Sequence, residues 1–455
     1  MKKVMNKNDV LCLHITDISS SGAGVGKIDG IPVFVPQTAI DDIIKVKIVK
    51  VKKSLCFGKL LEIIEPSKDR VRIDCPHFEK CGGCTSRHIS YGAEKRIKQN
   101  NVYNCIKRIG GISLKPEDIV CPGDTLRYRN KAQYPISADG KTGFYATHSH
   151  RVIPNDDCLL QPDEFSLAQR ALEEWIVRAN ASIYNEETGK GLCRHLYLRK
   201  GFSSGDIMAV LVVNSDTIPH RELLIELLKS ALGENLKSVC INVNTAKNNV
   251  VLGSKNIPIY KDDFITDTLC KVKVHLSPNS FYQVNSHMAQ KLYEKAAEYA
   301  HPENKVVLDL YCGAGTIGLS MADAAKKIIG VEIVPDAVED AKKNAQNLGL
   351  QNTEFICGDA AIAAKELRDR NISPDVIIVD PPRKGCEEKL LDIIAFEFSP
   401  ESLVYVSCDP ATLARDVALL KNKGYTLKEY TPFDLFPRTA HVETVALLVR
   451  TVSSI

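Results

Sequence analysis

Three residues with reactive side chains follow or begin apolar runs near the C-terminus. Asp380 precedes Pro381 and Pro382 directly after the run 375–379, Cys408 comes soon after the run 403–406, and Glu443 opens the last apolar run. Ligands of open parallel sheets bind at the carboxyl ends of the strands, so we expect these side chains to share one pocket. A cysteine there is suited to act as a nucleophile, and a carboxylate facing it as a general base.

Cys408 also precedes a predicted helix. Pro410 is a residue type favoured in the first turn of a helix, so we expect a helix to begin near it. The positive end of the helix dipole would favour the thiolate form of Cys408. The alternative, a small buried core side chain, is disfavoured by the position at the sheet edge.

A glycine-rich segment indicates a cofactor site in the same region. Gly313, Gly315 and Gly318 lie between an apolar run and a predicted helix, and Glu332 ends the next strand about 20 residues on. Glycines let a ligand approach the backbone, and the acidic residue would accept the ribose hydroxyls. NAD and S-adenosylmethionine (SAM) both fit this pattern, which therefore does not separate them.

Four cysteines form a candidate metal site. Cys75, Cys81 and Cys84 are separated by five and two residues, and Cys158 lies further along the chain. The short spacing around Gly82 and Gly83 allows two thiolates to bind one metal centre. Four thiolates suit structural zinc or an iron–sulfur cluster, and the spacing does not separate these two.

The first 65 residues read as short strands joined by turns. Residues 10–15, 31–36, 42–51 and 57–64 are rich in β-branched residues, and the glycine-rich segment 21–26 predicts a turn. This pattern is typical of a small β-barrel. The third run would place Lys45, Lys47 and Lys50 on its solvent-exposed face. These lysines could bind an RNA backbone, or the face could simply be exposed to solvent without binding a ligand.

Composition restricts the class of protein. The chain has 455 residues, of which 44% are hydrophobic and 25% charged, as in folded soluble proteins. No apolar run has the length of a membrane span, and the first residues lack the apolar core of a signal peptide, so a cytoplasmic location is expected. The odd count of 15 cysteines argues against a disulfide framework.

Charge is unevenly distributed along the chain. Residues 1–160 contain 26 basic and 17 acidic residues, whereas the remainder contains 33 basic and 39 acidic ones. A basic first third is what a nucleic-acid-binding region needs, although an uneven surface charge on an ordinary enzyme would look the same.

These observations predict a multidomain protein. Residues 1–65 would form the barrel, residues 66–262 a central α+β domain with the four cysteines, and residues 263–455 an α/β domain. Residues 300–450 alternate strands with helices, among them 316–325 and 336–348, and contain continuous apolar runs, as in a doubly wound, Rossmann-like parallel sheet.

Taken together, these motifs resemble one family: the RNA uracil-5-methyltransferases that carry an N-terminal TRAM domain and a [4Fe–4S] cluster. The resemblance implies that Cys408 is the nucleophile and Glu443 the base. It implies SAM contacts from an FxQxN-like segment and the sheet edge, and four cluster ligands. The implied SAM-binding residues are Gln283, Tyr311, Gly313, Gly315, Glu332, Asp359 and Asp380; the implied cluster ligands are Cys75, Cys81, Cys84 and Cys158.

The same resemblance implies an RNA substrate. Bacterial members of the family act on 23S ribosomal RNA, and a segment beginning at Arg127 resembles an element near the RNA site. The RNA-binding residues expected from it are Arg127, Arg129, Lys131 and Gln133. The target uridine would have to leave its stack to reach the cysteine.

Several alternatives stay open. The same chemistry on tRNA is the nearest, followed by cytosine-5 methylation, and a catalytically retired RNA-binding or ribosome-assembly factor belongs to another class. NAD-dependent oxidoreduction offers no role for Cys408. The oligomeric state cannot be read from the sequence, and a monomer is the default expectation.

Overall fold

The computed structural model describes residues 5–451, so the outermost residues of the first and last predicted domains lie outside it. Within the described part, no helix combines the length and apolar character needed to cross a bilayer.

The N-terminal strands form a six-stranded sheet in the order β1-β5-β6-β4-β3-β2. Ile44, Val46 and Ile48 are fully buried in its core, whereas Lys45 is exposed and Lys47 half-buried, as the alternation predicts. Lys50 is exposed as well, but it follows a register shift that begins after Ile48. The strands are β1 (Val10–His14), β2 (Asp17–Ile18), β3 (Gly24–Ile28), β4 (Ile31–Val35), β5 (Ile43–Val51) and β6 (Cys56–Glu65).

One element of this sheet differs from the expectation. Gly24 and Gly26, predicted to lie in a turn, belong to strand β3. A Cβ on Gly26 would lie 2.3 Å from the carbonyl oxygen of His14, so this glycine allows two backbones to approach closely.

A second sheet follows, in the order β13-β12-β11-β10-β7. Trp175 and Phe165 of helix α2 are buried against it. Its strands are β7 (Lys131–Pro135), β10 (Cys193–Lys200), β11 (Ile207–Val213), β12 (Leu236–Val243) and β13 (Lys255–Lys261). Around it lie β8 (Gly143–Tyr145), β9 (Val152–Pro154), α2 (Asp163–Arg178), α3 (Arg221–Leu232), β14 (Ile265–Leu269) and β15 (Val272–Leu276).

The C-terminal sheet has seven strands in the order β18-β17-β16-β19-β20-β22-β21, and β22 is antiparallel to both neighbours. Its strands are β16 (Val306–Leu310), β17 (Lys327–Glu332), β18 (Thr353–Cys357), β19 (Val376–Val379), β20 (Ser402–Ser407), β21 (Tyr425–Phe433) and β22 (Glu443–Arg450). Its helices are α4 (Ser286–Ala300), α5 (Thr316–Ser320), α6 (Pro335–Asn347), α7 (Ala360–Asp369), α8 (Glu388–Asp392) and α9 (Pro410–Asn422).

This sheet is the doubly wound architecture that the apolar runs predict. Helix α5 is shorter than the expected 316–325, because the chain turns after Ser320. Helix α6 ends as predicted, with Gly349 in the left-handed conformation.

Helix α1 (Tyr91–Arg108) lies between the cysteines and the second sheet in sequence but packs elsewhere. Val102 and Ile106 are fully buried in the core of the C-terminal sheet, together with Leu413 of α9. The segment that follows the barrel is therefore anchored directly to the sheet that bears Cys408 and Glu443.

Candidate active site

A cavity of about 1310 Å³ opens at the carboxyl ends of the C-terminal strands. Residues at or just after the carboxyl end of each parallel strand line it, as expected for this fold. Its walls include Gln283, Tyr311, Gly313, Glu332, Asp359, Asp380, Arg383, Cys408 and Glu443. We call it the catalytic cavity.

Sheet register places the two predicted catalytic residues side by side. Ser407 of β20 pairs with Thr444 of β22, so the adjoining positions, Cys408 and Glu443, leave the same end of neighbouring strands. Both line the catalytic cavity, and their charges interact directly.

Burial changes the acidity of the carboxyl groups in this cavity. It raises the pKa of Glu443 to about 8, and the nearby Asp380 carboxylate adds to the shift whereas Arg383 opposes it. Burial likewise raises the pKa of Asp380 to about 7. At neutral pH burial therefore favours the protonated form of Glu443.

The expectation for the acidity of Cys408 is wrong. Helix α9 does begin at Pro410, but burial raises the pKa of Cys408 to about 11, and Glu443 and Asp380 contribute. Asp409 caps the helix, and its carboxylate accepts hydrogen bonds from the backbone N–H groups of Ala411 and Thr412. The rise in pKa from burial and from the two carboxylates therefore outweighs the lowering expected from the helix terminus.

The glycine-rich loop is held open by an acidic side chain. Glu332 accepts hydrogen bonds from the backbone N–H groups of Gly313 (3.0 Å) and Val334 (2.9 Å). Gly313 has φ +54°, and no atom lies within 4 Å of the position that a Cβ would take. This leaves the loop backbone accessible to a ligand.

Two other predicted cofactor residues occupy different positions. Asp359 lines the catalytic cavity and caps α7 through the backbone N–H groups of Ala361 and Ile362. Gly315 does not line the cavity; a Cβ there would lie 3.0 Å from the Phe355 ring, so this glycine serves loop packing.

Gln283 is positioned by the segment that precedes β7. Asn130 donates its side-chain N–H to the Gln283 carbonyl (2.8 Å) and its backbone N–H to the Val284 carbonyl (2.8 Å). Residue 283 thus lies on the wall of the cavity beside Arg129.

The four predicted metal ligands line a second cavity, of about 280 Å³, which we call the cysteine cavity. Burial raises the pKa of Cys81 and Cys158 and that of Cys84 to about 11. The Arg87 guanidinium hydrogen-bonds to Cys84 and opposes this shift. Within residues 5–451, no three His, Cys, Asp or Glu side chains converge closely enough to hold a single metal ion.

Three of the four predicted RNA-binding residues line one or both cavities. Arg129 lines both, as does Gly83, whereas Lys131 and Gln133 line only the cysteine cavity. Burial, with repulsion from Arg199 and Arg129, lowers the pKa of Lys131 to about 8.

Arg127 lines neither cavity and supports the backbone around Cys158. Its guanidinium donates to the carbonyls of Cys158 (2.8 Å) and Gln161 (3.0 Å) and forms ion pairs with Asp157 and Asp163.

Sequence reasoning missed several residues of the catalytic cavity. Arg383 opposes the rise in the pKa of both Cys408 and Glu443. Its position directly after Pro381 and Pro382, at the end of an apolar run, could have indicated that it lies at the cavity. Ser20 and Ser21, in the barrel turn between β2 and β3, also line the cavity. No sequence pattern connects that turn to the C-terminal sheet.

Comparisons with known proteins agree with this arrangement. Residues 114–451 match the family model described as tRNA (Uracil-5-)-methyltransferase, and residues 7–61 match the TRAM domain. RNA methyltransferases, described as uncharacterized, from Clostridium acetobutylicum and Halalkalibacterium halodurans are each 42% identical to this chain. The alignments cover 99% of both chains in the first case and 98% in the second.

A solved structure is similar over nearly the whole chain. It is the Pyrococcus abyssi tRNA (uracil-54, C5)-methyltransferase in complex with S-adenosyl-L-homocysteine, at 28% identity and a TM-score of 0.78. The superposition covers 96% of this chain and 100% of that one.

Proposed function

This chain belongs to the tRNA (uracil-5-)-methyltransferase family, and we propose that it methylates C5 of a uridine in 23S ribosomal RNA with Cys408 as nucleophile and Glu443 as base. The observation that carries the proposal is the register of β20 and β22, which brings a thiol and a carboxyl group together at the wall of one cavity.

Uracil C5 is too weak a nucleophile to accept a methyl group unaided. In the proposed reaction the Cys408 thiolate forms a bond to C6, and the electron pair of the C5–C6 double bond becomes available at C5. SAM supplies an activated methyl group on a positively charged sulfur, which C5 accepts. Glu443, in its ionised form, then takes the C5 proton, and the electron pair of the broken C5–H bond re-forms the C5–C6 double bond and expels the thiolate.

The geometry of the glycine-rich loop supports SAM as the methyl donor. Gly313 presents open backbone beside Glu332, which would accept the ribose hydroxyls, and Asp359 comes just after the next strand, β18. Gln283, Tyr311 and the other predicted contacts except Gly315 would line the donor from its other sides.

The reaction is tested with unmodified 23S RNA and labelled SAM, followed by mapping of the labelled position. Cys408→Ala should give neither product nor a covalent protein–RNA species, because no bond to C6 forms. Glu443→Gln should accumulate a covalent species that survives denaturing electrophoresis, since addition precedes proton removal. Product formation by Cys408→Ala at the wild-type rate would refute the proposed role of this thiol.

Likeness to the Pyrococcus abyssi enzyme favours tRNA as a second candidate substrate. The same assay with unmodified tRNA separates the two: 5-methyluridine in 23S RNA alone supports the first proposal, and 5-methyluridine in tRNA alone supports the second. Either result leaves the roles of Cys408 and Glu443 to be tested by the variants above.

We also propose that Cys75, Cys81, Cys84 and Cys158 hold a [4Fe–4S] cluster. Four thiols around about 280 Å³ fit a polynuclear cluster better than one zinc ion, whose thiolate ligands would lie about 2.3 Å from a single point. Anaerobic purification followed by iron and sulfide analysis tests this; stoichiometric zinc with no sulfide would contradict it.

A further inference from the structure

Glu443 lies directly after a loop that is held by buried charges. This loop, residues 434–442, joins β21 to β22, and we call it the base loop because it leads into the proposed base. Phe436, Thr439, Ala440 and His441 of the base loop line the catalytic cavity. The conformation of the loop therefore affects both the cavity wall and the entry of β22.

The first residue of the base loop binds a lysine from helix α1. Lys98 Nζ lies 2.6 Å from Asp434 Oδ1 and 2.8 Å from Glu94 Oε1, and it donates to the carbonyl of Phe436 at 3.1 Å. Lys98 and Glu94 are each 2% exposed, and the Asp434 side chain is fully buried. The Tyr91 hydroxyl donates to the other Asp434 oxygen at 2.9 Å.

The same cluster holds the middle of the base loop. Glu94 Oε1 accepts the backbone N–H of Arg438 at 2.7 Å, and the Arg438 carbonyl accepts from the backbone N–H groups of Thr85 (2.9 Å) and Ser86 (3.3 Å). Arg438 has φ +69°, a conformation that a non-glycine residue adopts at a cost. The buried contacts to Arg438 therefore hold a strained backbone.

Stability alone gives a poor reason for this arrangement. Burying three charged groups costs desolvation energy that their attraction only partly offsets, and apolar residues of similar size often stabilise a core as well or better. The cluster does fix the conformation of the base loop, because its hydrogen bonds are directional and end on defined atoms of Asp434, Phe436 and Arg438.

We propose that Lys98, together with Glu94 and Asp434, is a set of positioning residues that holds the base loop so that Glu443 reaches the C5 proton. This inference rests on the proposed methylation by Cys408 and Glu443. None of the three residues lines the catalytic cavity. Their effect is therefore expected on proton removal and not on the addition of Cys408 to the ring.

The test is the Lys98→Met variant in the full-length protein, with single-turnover kinetics on whichever unmodified RNA, 23S RNA or tRNA, the wild-type protein methylates. We expect release of product to slow about 10- to 100-fold, as for a misplaced catalytic group, while the covalent protein–RNA species accumulates. The KM for SAM should stay within about twofold, because the glycine-rich loop is not touched. Asp434→Asn, which keeps the side-chain volume, should give the same split.

Lys295→Met serves as the matched control. Lys295 on α4 pairs with Glu117, which in turn accepts a hydrogen bond from Thr431 of β21. This cluster therefore also contacts β21, but it does not line the catalytic cavity. It should leave the covalent species and the release rate unchanged.

The outcomes separate this inference from the proposed function. If Glu443→Gln itself fails to accumulate the covalent species, the proposed chemistry is wrong. If Glu443→Gln accumulates it but Lys98→Met and Asp434→Asn lose adduct and product equally, lose their fold, or behave as wild type, the positioning role is refuted.

Discussion

The catalytic cavity and the cysteine cavity share Gly83 and Arg129 but are built in different ways. The catalytic cavity lies on strand ends, where hydrogen-bonded register fixes each side chain. The cysteine cavity takes Cys75, Cys81 and Cys84 from a segment between β6 and α1 that has almost no regular structure. The first cavity has its shape from the sheet, whereas the second would depend on the proposed cluster for part of its support.

The two cavities also differ in the charge of the side chains that surround them. In the catalytic cavity, burial raises the pKa of Glu443, Asp380 and Cys408. The Asp380 carboxylate adds to the shift of Glu443, both carboxylates add to that of Cys408, and Arg383 opposes the shifts of Glu443 and Cys408. Around the cysteine cavity, Arg87, Arg129 and Lys131 face thiols whose ionisation burial disfavours. A group that requires thiolates would relieve both the repulsion among these cations and the cost of the ionised thiols.

The largest effect should come from removing one thiol of the cysteine cavity. Cys84→Ser is expected to lose bound iron and to lower the melting temperature, since the free energy of metal binding adds to that of folding. Cys12→Ser, an exposed cysteine of β1, is the control and should retain both. Iron analysis and thermal unfolding measure the difference. An unchanged melting temperature in the iron-free Cys84→Ser protein would mean that this cavity, too, is shaped by the fold alone.

A smaller effect should distinguish two neighbouring cations. Arg129→Met is expected to weaken RNA binding roughly tenfold, the loss of a charge-assisted hydrogen bond, because Arg129 reaches the catalytic cavity. Lys131→Met should leave RNA affinity within about twofold, since Lys131 lines the cysteine cavity only. Filter binding at fixed salt measures both affinities. Equal losses of RNA affinity in the two variants would mean that RNA contacts both cavities, and would contradict an RNA surface confined to the catalytic cavity.

Sequence reasoning succeeds where topology does the positioning. The sequence predicted one pocket for Asp380, Cys408 and Glu443, because the carboxyl ends of parallel strands meet at one edge of the sheet. The place of Lys98 was not predictable, since nothing in α1 shows that this helix packs on α9 and not beside the cysteines. The direction of the shift in the pKa of Cys408 also depends on the surroundings of the thiol in the folded protein, namely its burial and the carboxyl groups of Glu443 and Asp380.

The smallest effect concerns the stability of the folded protein. It tests whether the ionised Glu443 carboxylate in the catalytic cavity lowers the free energy of unfolding. The folded protein keeps the Glu443 proton up to about pH 8, whereas the unfolded chain releases it near its ordinary value of 4.5. Between these values the unfolded state binds fewer protons, so the free energy of unfolding falls as pH rises through the window. Glu443→Gln removes this dependence and should melt at a higher temperature than wild type at pH 8.5 but not at pH 5. Thermal unfolding at the two pH values measures it, and a difference of equal size at both would mean that Glu443 is ionised in the folded protein throughout, as a solvated carboxylate would be.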